Sequence, residues 1–395
     1  MPPRNALAAL LPEIREWRRD IHRHPEILFD THRTAALVAA KLREWGCDEV
    51  VEGIGRTGVV GVIRGQRTES GRTVALRADM DALPIEEATG LPHASTVRGA
   101  MHACGHDGHT AMLLGAARYL CETRAFDGTA LVVFQPAEEG GGGGREMVED
   151  GLMERWGVSE IYGMHNWPGR PVGSFAIREG AFFAATDQFE VVVEGRGGHA
   201  AKPQETVDPV VAGSAIVLAL QTIASRNADP VEQIVVSVTS FRTASDAFNV
   251  IPPRAVLRGT VRTLSAGLRE MAERRLRTIC EATAAAHGAE AHVDYRRGYP
   301  VMANHPAETE HARAVAREVS GGCEEAPLVM GGEDFAYMLE ARPGAYILLG
   351  NGDSAPVHHP EYDFNDEAIP AGCSWLVGMV ESRLPLRPEG DDRGR

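Results

Sequence analysis

Several common sequence devices are missing from this chain. It has no CxxC, no CxxCH and no HExxH, and its glycine run is not followed by GK[ST]. A dithiol redox motif, a c-type haem site, a zincin-type site and a Walker phosphate loop are therefore excluded. Basic residues are outnumbered: 40 Lys and Arg face 55 Asp and Glu, for a net charge of -15. That balance argues against nucleic acid and against docking to anionic lipid, though a few placed arginines would still suffice for an anionic substrate. No apolar run approaches the roughly 18 residues of a membrane span. The N-terminal run ALAALL leads straight into charge and is too short for a signal peptide, which gives the expectation of a cytoplasmic protein. The cysteines (Cys47, Cys104, Cys121, Cys280, Cys323 and Cys373) are scattered without disulfide-scaffold spacing, as small buried hydrophobes are. Only Cys104 has potentially ligating neighbours. There are no internal repeats.

What is present points to two domains. A chain of 395 residues exceeds the size at which a single core stops growing. Apolar strands alternate with helices through the first half: TVALRADMDALP (73–84), the helical HTAMLLGAARYLCE (109–122), TALVVFQPAEEG (129–140), the helical REMVEDGLME and the strand IYGMHN (161–166). Such alternation predicts an α/β fold with a mainly parallel sheet, whose ligands bind at the carboxyl ends of the strands. The pattern then changes to βαββαβ: QFEVVVEG, a long helix over 206–227, EQIVVSVTSF, RAVLRGTVRTL, a helix beginning at LREMAERRL, and AHVDYRRGY. This is the order of a ferredoxin-like, split-βαβ domain. A helix near 307–319, the strand YILLG and a final helix return to α/β character. The expectation is a smaller domain over 185–296 inserted in a discontinuous domain of 1–184 and 297–395. The charged tail RPEGDDRGR is expected to fray.

Ligand-type side chains follow the expected strands: Asp79 and Asp81; Cys104 and His106; Glu138 and Glu139; His165; and the pair His358–His359. Singly, adjacent glutamates read as a solvated turn and a histidine after a strand as a structural one. Five segments delivering carboxylate, imidazole or thiol to one sheet edge favour coordination, because deep groups of these types must be paired or ligated. A mixed O, N and S donor set suits a borderline metal such as zinc, manganese, cobalt or nickel better than magnesium or calcium. Gly105 permits the bend that aims Cys104 and His106 at one place. The glycine run of EEGGGGGREM is expected to let backbone pass close to that centre. An extended backbone at Glu138 and Glu139 would send their side chains to opposite sides. Asp107 is expected to orient its neighbours or cap the following helix, and His109 to open that helix. His102 has no assigned role.

The collinear motifs DMDALPIEE, MHACGHDGHTAMLLGAA, VVFQPAEEGGGG, GMHNWP, GRGGHAAKP, FNVIP, GTVRT, GGEDFAYML and HHPEYDFND resemble the M20 metallopeptidase group. The branch is that of hippurate hydrolase, N-acyl-amino-acid deacylases and auxin-conjugate hydrolases. The resemblance runs from about residue 17 to 380. It implies that Cys104, His106, Glu139, His165 and His358 ligate two divalent metal ions, with His358 preferred to His359. It also implies Glu138 as general base, with Asp79 and Asp81 standing behind the donors. His199 would polarise the substrate carbonyl, commonly in the partner subunit's site, and Asn249 and Arg262 would bind the substrate carboxylate. On sequence alone these three also read as a turn histidine, a turn residue and an exposed strand arginine. The chain departs from the branch at Gly332, where serine or alanine is commoner.

The implied activity is hydrolysis of N-acyl-L-amino acids to a carboxylic acid and a free amino acid. Two cations about 3.5–4 Å apart would lower the pKa of a shared water. Glu138 would take the proton of the attacking water and pass it to the leaving amine. A dipeptidase or carboxypeptidase sharing the centre is the alternative, and a non-catalytic binding protein on the same fold a more distant one. A homodimer is expected from the resemblance.

Overall fold

The computed structural model describes residues 3–386. The tail expected to fray lies outside the described residues. The chain divides into two units. The larger comprises residues up to Gly180, Ala303–Pro327 and the chain from Asp334 onward; the smaller is Ala181–Met302 with Leu328–Glu333.

The larger unit begins with helices α1 (Pro3–Arg23) and α2 (His32–Glu44). Strands β1 (Glu49–Ile54) and β2 (Gly58–Arg64) form an antiparallel hairpin that the alternation read from the sequence did not include. Then come β3 (Thr73–Asp79), α3 (His106–Thr123), β4 (Thr129–Gln135), α4 (Gly143–Glu149), β5 (Val158–Trp167) and β6 (Phe175–Ile177). The eight-stranded sheet has the order β1-β2-β4-β3-β5, then Gly344–Gly350, β6 and Glu324–Glu325. Its centre is parallel: β3 pairs with β4 and β5, and β5 with Gly344–Gly350. These strands are apolar runs because helices cover both faces. Val74, Leu76 and Ala78 of β3 join a core with Met112 and Leu120 of α3 and Trp375 and Val380 of the helix Ile369–Arg383. Arg77 turns to the other face, its guanidinium over the Phe335 ring. The stretch REMVEDGLME is not one helix: α4 ends at Glu149, and a single turn, Leu152–Arg155, follows Gly151.

The smaller unit is an antiparallel four-stranded sheet in the order Ile234–Thr243, Arg254–Thr263, Ala185–Glu194, Glu290–Arg297. Two helices, Pro209–Leu220 and Ala266–Ala286, interrupt the strands in βαββαβ order. Asp208 and Ser265 cap them by accepting the amides of Val210 and Leu268, satisfying N–H groups the first turn leaves open. Ile216 and Leu220 meet Leu276, Ile279, Val191 and Leu257 in the core. The helix expected over 206–227 is shorter, giving way to a π turn at Ile223–Asn227. Pro209–Asn227 is long and apolar enough, by composition, to cross a membrane; here its buried side chains pack on the small sheet. Gly332 sits against Thr186, whose Cγ2 lies 2.2 Å from where a Cβ would stand, so the serine or alanine commoner in the branch would collide.

One buried charge cluster fixes the start of α3. Asp107, fully buried, accepts His22 Nδ1 at 2.7 Å and is ion-paired with Arg18, whose Nε lies 2.8 Å away; both partners come from α1. Arg18 also reaches Asp363 at 3.0 Å. Burial opposes a charged His22, but Asp107 and Glu87 outweigh it and push the imidazole up to about 9. A group whose pKa is raised on folding contributes stability that is complete below its unfolded value and is lost as pH rises through the folded one. Between about pH 6.5 and 9 the protein should lose roughly 3 kcal/mol. Thermal melts across that window check this. The decline should flatten in His22→Gln, and an unchanged decline in that variant would remove His22 as its source.

Candidate metal centre

The carboxyl end of β3 carries Asp79 and, two residues on, Asp81; both are buried. Asp79 is saturated by neighbours. One oxygen accepts His109 Nδ1 and the other Arg77 Nη1, each at 2.7 Å. Asp81 accepts the backbone amides of Glu138 and Glu139, each at 3.0 Å. Its own carbonyl is 2.8 Å from His106 Nδ1.

Glu138 and Glu139 lie in a turn rather than an extended segment. Ala137 before them has φ 54°, which lets successive amides address one carboxylate. This corrects the expectation that strand alternation separates the two side chains. Glu139 Oε1 is 3.3 Å from His358 Nε2 and 3.9 Å from His106 Nε2. Glu138 Oε1 lies 3.4 Å from the amide of Asp334. The glycines that follow pack elsewhere than expected. A Cβ on Gly143 would stand 1.8 Å from the Pro136 carbonyl oxygen and one on Gly144 3.1 Å from Asp334 Oδ1; their close approaches are to these groups, not to the donors.

The opening of α3 also differs from expectation. Gly105, in the left-handed region at φ 87°, is the N-cap residue and His106 the first helical one. A Cβ on Gly105 would stand 2.2 Å from Asn166 Nδ2 and 2.4 Å from Tyr362 Oη. Glycine is thus required by both conformation and space. Asn166 donates to the Cys104 carbonyl at 2.6 Å and accepts Tyr362 Oη at 2.6 Å. The amide of His358 donates to the Ala103 carbonyl at 2.7 Å. His109 lies inside the first turn, bridging Asp79 and the amide of Asn166, which donates to its Nε2 at 2.9 Å. Asp107 is not a cap; it serves Arg18 and His22. His102 is buried without a hydrogen-bond partner on either ring nitrogen, and burial pushes it down to about 3.

His165, near the end of β5, directs Nδ1 to the Asn166 carbonyl at 2.6 Å, and its Nε2 lies 3.3 Å from Cys104 Sγ. His106 likewise has Nδ1 engaged, while its buried Nε2 has no hydrogen-bond partner. With Nδ1 engaged, Nε2 is the atom each imidazole would offer a metal ion, the arrangement typical of metal-ligating histidines. Two triads of donor atoms, each within 4.8 Å of one another, share Cys104: Cys104–His106–His165 and Cys104–Glu139–His358. His358, at φ 66°, faces Glu139, whereas His359 Nδ1 accepts the amide of Glu361.

The electrostatics fit a cation. Burial, with Glu139 and Glu138 adding to it, holds the Cys104 thiol well above its ordinary value. Burial disfavours a charged His106, but Asp79, Asp81 and Glu139 outweigh it and push the ring up to about 10. Burial also raises Asp81, and Glu139 adds to that. An orphaned Nε2, a buried thiol and a convergent carboxylate are the groups a divalent metal ion would satisfy.

The remaining expected residues belong to the smaller unit. His199 is exposed and lies in a two-residue bridge with Val250, next to Asn249, whose carbonyl accepts the amide of Ala200 at 3.0 Å. Arg262 pairs with Thr186, near the start of the strand Ala185–Glu194. His199 lies beyond the other end of that strand, whose eight steps from Thr186 to Glu194 span about 26 Å. The structure thus brings His199 and Asn249 together and leaves Arg262 at the opposite end of the small sheet. Arg262 is half-buried and held by Thr260 Oγ1 and the Val261 carbonyl. Burial lowers its pKa, with Asp187 opposing.

Sequence reading missed Arg77, Asn166, Tyr362 and His109 as positioning groups. Only the three-residue spacing from His106 to His109, one helical turn, could have indicated the last.

Fold and donor set define the class: a metal-dependent hydrolase of mixed α/β fold, with a divalent-metal site at the carboxyl edge of its sheet. The chain belongs to the peptidase family M20/M25/M40, which matches residues 75–382, and is an amidohydrolase. It is 42% identical to the hippurate hydrolase of Campylobacter jejuni, over 93% of this chain and 96% of that protein. It is 40% identical to an N-acetylcysteine deacetylase of Bacillus subtilis, over 92% and 94% respectively. Among solved structures it resembles the YXEP protein of Bacillus subtilis, a dinuclear metal-binding peptidase of family M20. That match has TM-score 0.84 and 35% identity, covering 95% of this chain and 99% of the other.

A cation held by Cys104 and His106 must displace their protons. Loading the metal-free protein at about pH 7 should therefore release protons, measurable by titration calorimetry in buffers of different protonation enthalpy. Cys104→Ala should lower bound metal in elemental analysis. Zero net release, or unchanged stoichiometry in the variant, contradicts the assignment.

Proposed function

We propose that the chain hydrolyses the amide bond of N-acyl-L-amino acids, releasing a carboxylic acid and a free amino acid. The observation that carries this reading is the pair of donor triads sharing Cys104, with the Glu138 carboxylate beside them. Relatives named for hippurate and N-acetylcysteine support the substrate class. In this reading Cys104, His106, Glu139, His165 and His358 would hold two divalent cations. Zinc, manganese, cobalt and nickel suit the donors. When bound, the pair supplies an acidified water and a positive field for the oxyanion.

The chain's own residues do the rest. Glu138 takes the proton of the attacking water and returns it to the leaving nitrogen. Its neighbour Glu139 is committed to ligation, and Asp81 holds the backbone of both. Asp79 and Asp81 position donors rather than join them. Arg262 pairs with no carboxylate among the described residues, and it binds the carboxylate of the substrate's amino acid together with Asn249. His199 donates to the carbonyl oxygen as charge develops there. Because His199 and Asn249 lie at the far end of the small sheet from Arg262, they act in the site of a second copy. This makes the enzyme a homodimer with an isologous interface. Six cysteines without a disulfide among them suit the cytoplasm.

Glu138→Gln should keep its metal and lose about 10²–10⁴-fold in turnover of hippurate and acetyl-amino acids. Wild-type turnover would remove Glu138 as the base, and faster cleavage of dipeptides than of acyl-amino acids by the native enzyme would favour the peptidase alternative. Equal mixing of Glu138→Gln and His199→Ala subunits should restore about a quarter of native activity, since half the dimers are mixed and each has one intact site. No recovery after subunit exchange would place His199 in its own subunit's site or outside catalysis.

A further inference from the structure

A second pair of reactive side chains lies away from the strand-end donors. Cys47 follows the C-terminal turn of α2, and Cys121 is in the last turn of α3. Their sulfurs are 3.3 Å apart, and both are free thiols. Cys47 is half-buried and Cys121 is 7% exposed, so a small solute reaches the pair through Cys47's side. The segments that carry them are clamped together. Arg124, one turn after Cys121, has left-handed backbone at φ 48°. Its guanidinium reaches Asp48 Oδ2, the Arg64 carbonyl and the Gly46 carbonyl, each at 2.7 Å. The residues on both sides of Cys47 are thus tied to the end of the helix that holds Cys121. A bonded S–S length is about 2.05 Å, so the sulfurs have little more than ~1 Å left to close. No other pair among the described cysteines is so placed. Cys280 and Cys373 are fully buried, Cys323 is partnered only by a carbonyl, and Cys104 belongs to the donor triads.

We propose that Cys47 and Cys121 form a reversible intrachain disulfide when the protein meets hydrogen peroxide. The site is distinct from the metal centre and independent of the function proposed above. The Cys121 thiolate attacks one peroxide oxygen, the O–O bond breaks, and hydroxide leaves, giving Cys121 sulfenic acid. The sulfur of Cys47 then attacks the sulfenyl sulfur. The S–O bond breaks and water leaves with the Cys47 proton. Two thiols are oxidised by two electrons in all, and peroxide is reduced to two waters. The hydrogen bond from Cys47 holds the Cys121 thiol below its ordinary value, and Arg124 helps against burial. Cys121 is therefore the attacking thiolate and Cys47 the resolving thiol. The new bond would fix the far end of α3, the helix whose first residue is His106.

The test uses the metal-loaded full chain, exposed to a small excess of hydrogen peroxide, quenched, denatured and alkylated. Alkylatable thiols should fall from six to four, with a mass loss of roughly 2 Da. Peptide mapping should show one Cys47–Cys121 link, and dithiothreitol should restore both thiols. Cys47→Ser and Cys121→Ser should each abolish the link while keeping native activity without oxidant. In Cys47→Ser a dimedone probe should capture sulfenic acid on Cys121. Two unmodified thiols in the wild type, a link at other cysteines, or irreversible oxidation of Cys121 without a link would each overturn the proposal.

Discussion

Two carboxylates at the end of one strand hold the arrangement around them. Asp79 takes His109 from α3 and Arg77 from its own strand; Asp81 takes the turn after β4 by two amides and His106 by its carbonyl. Two segments distant in sequence, the first turn of α3 and the turn after β4, are thereby registered on β3. The arrangement tolerates little slack, because each oxygen of Asp79 already has a charged or ring N–H partner within 2.7 Å. A shift of β3 would move the glutamate turn and the first turn of α3 together. Removing either carboxylate would leave buried donors unpaired, which costs more than the hydrogen bond itself.

A second constraint acts on the turn before α3. Cys104 and His106 can face one place only if the chain reverses sharply between them, and the reversal is gripped from three sides. Asn166 holds the Cys104 carbonyl, Tyr362 holds Asn166, and the His358 amide holds Ala103. Two of these gripping residues adjoin donors: Asn166 follows His165, and His358 is itself a donor. The residues that would ligate therefore also brace one another through their backbones. This is how a site assembled from loops acquires the precision of one built on rigid elements. Arg77 extends the bracing to the opposite face of the sheet, where it and Gln135 meet Asp334.

Much of this was legible in the sequence, and what was not has a physical cause. The parallel strands read clearly because burial on both faces makes them continuous apolar runs, and three polar clusters stood out because Asp79, Glu138 and His165 stand at or near the ends of such runs. The small unit's βαββαβ order was readable from period alone. The β1–β2 hairpin was not, since its link of three residues, Gly55–Thr57, lacks an Asn-Gly or Asp-Gly signal. Arg77 hid inside an apolar strand; partners such as Asp79, Gln135 and Asp334 explain a guanidinium there, and the last two are far along the chain. Tyr362 and Asn166 are 196 residues apart, so nothing local marks them as a pair. The glutamate turn was misread because Ala137's left-handed backbone has no signature in an alanine.

The charge balance around β3 explains why the donors are arranged as they are. Asp79, Asp81, Glu138, Glu139 and Asp334 crowd a buried region in which Arg77 is the permanent cation. Five ionised carboxylates against one guanidinium would carry a heavy desolvation and repulsion cost in a low-dielectric site. The protein's own answer is to keep protons: Cys104 stays a thiol, His106 keeps its charge near pH 7 with a pKa of about 10, and Asp81 is held above its usual range. Divalent cations offer another, because each supplies two charges at the point where thiol, imidazole and carboxylate converge. The same crowding that penalises the empty carboxylates therefore favours the ligated ones.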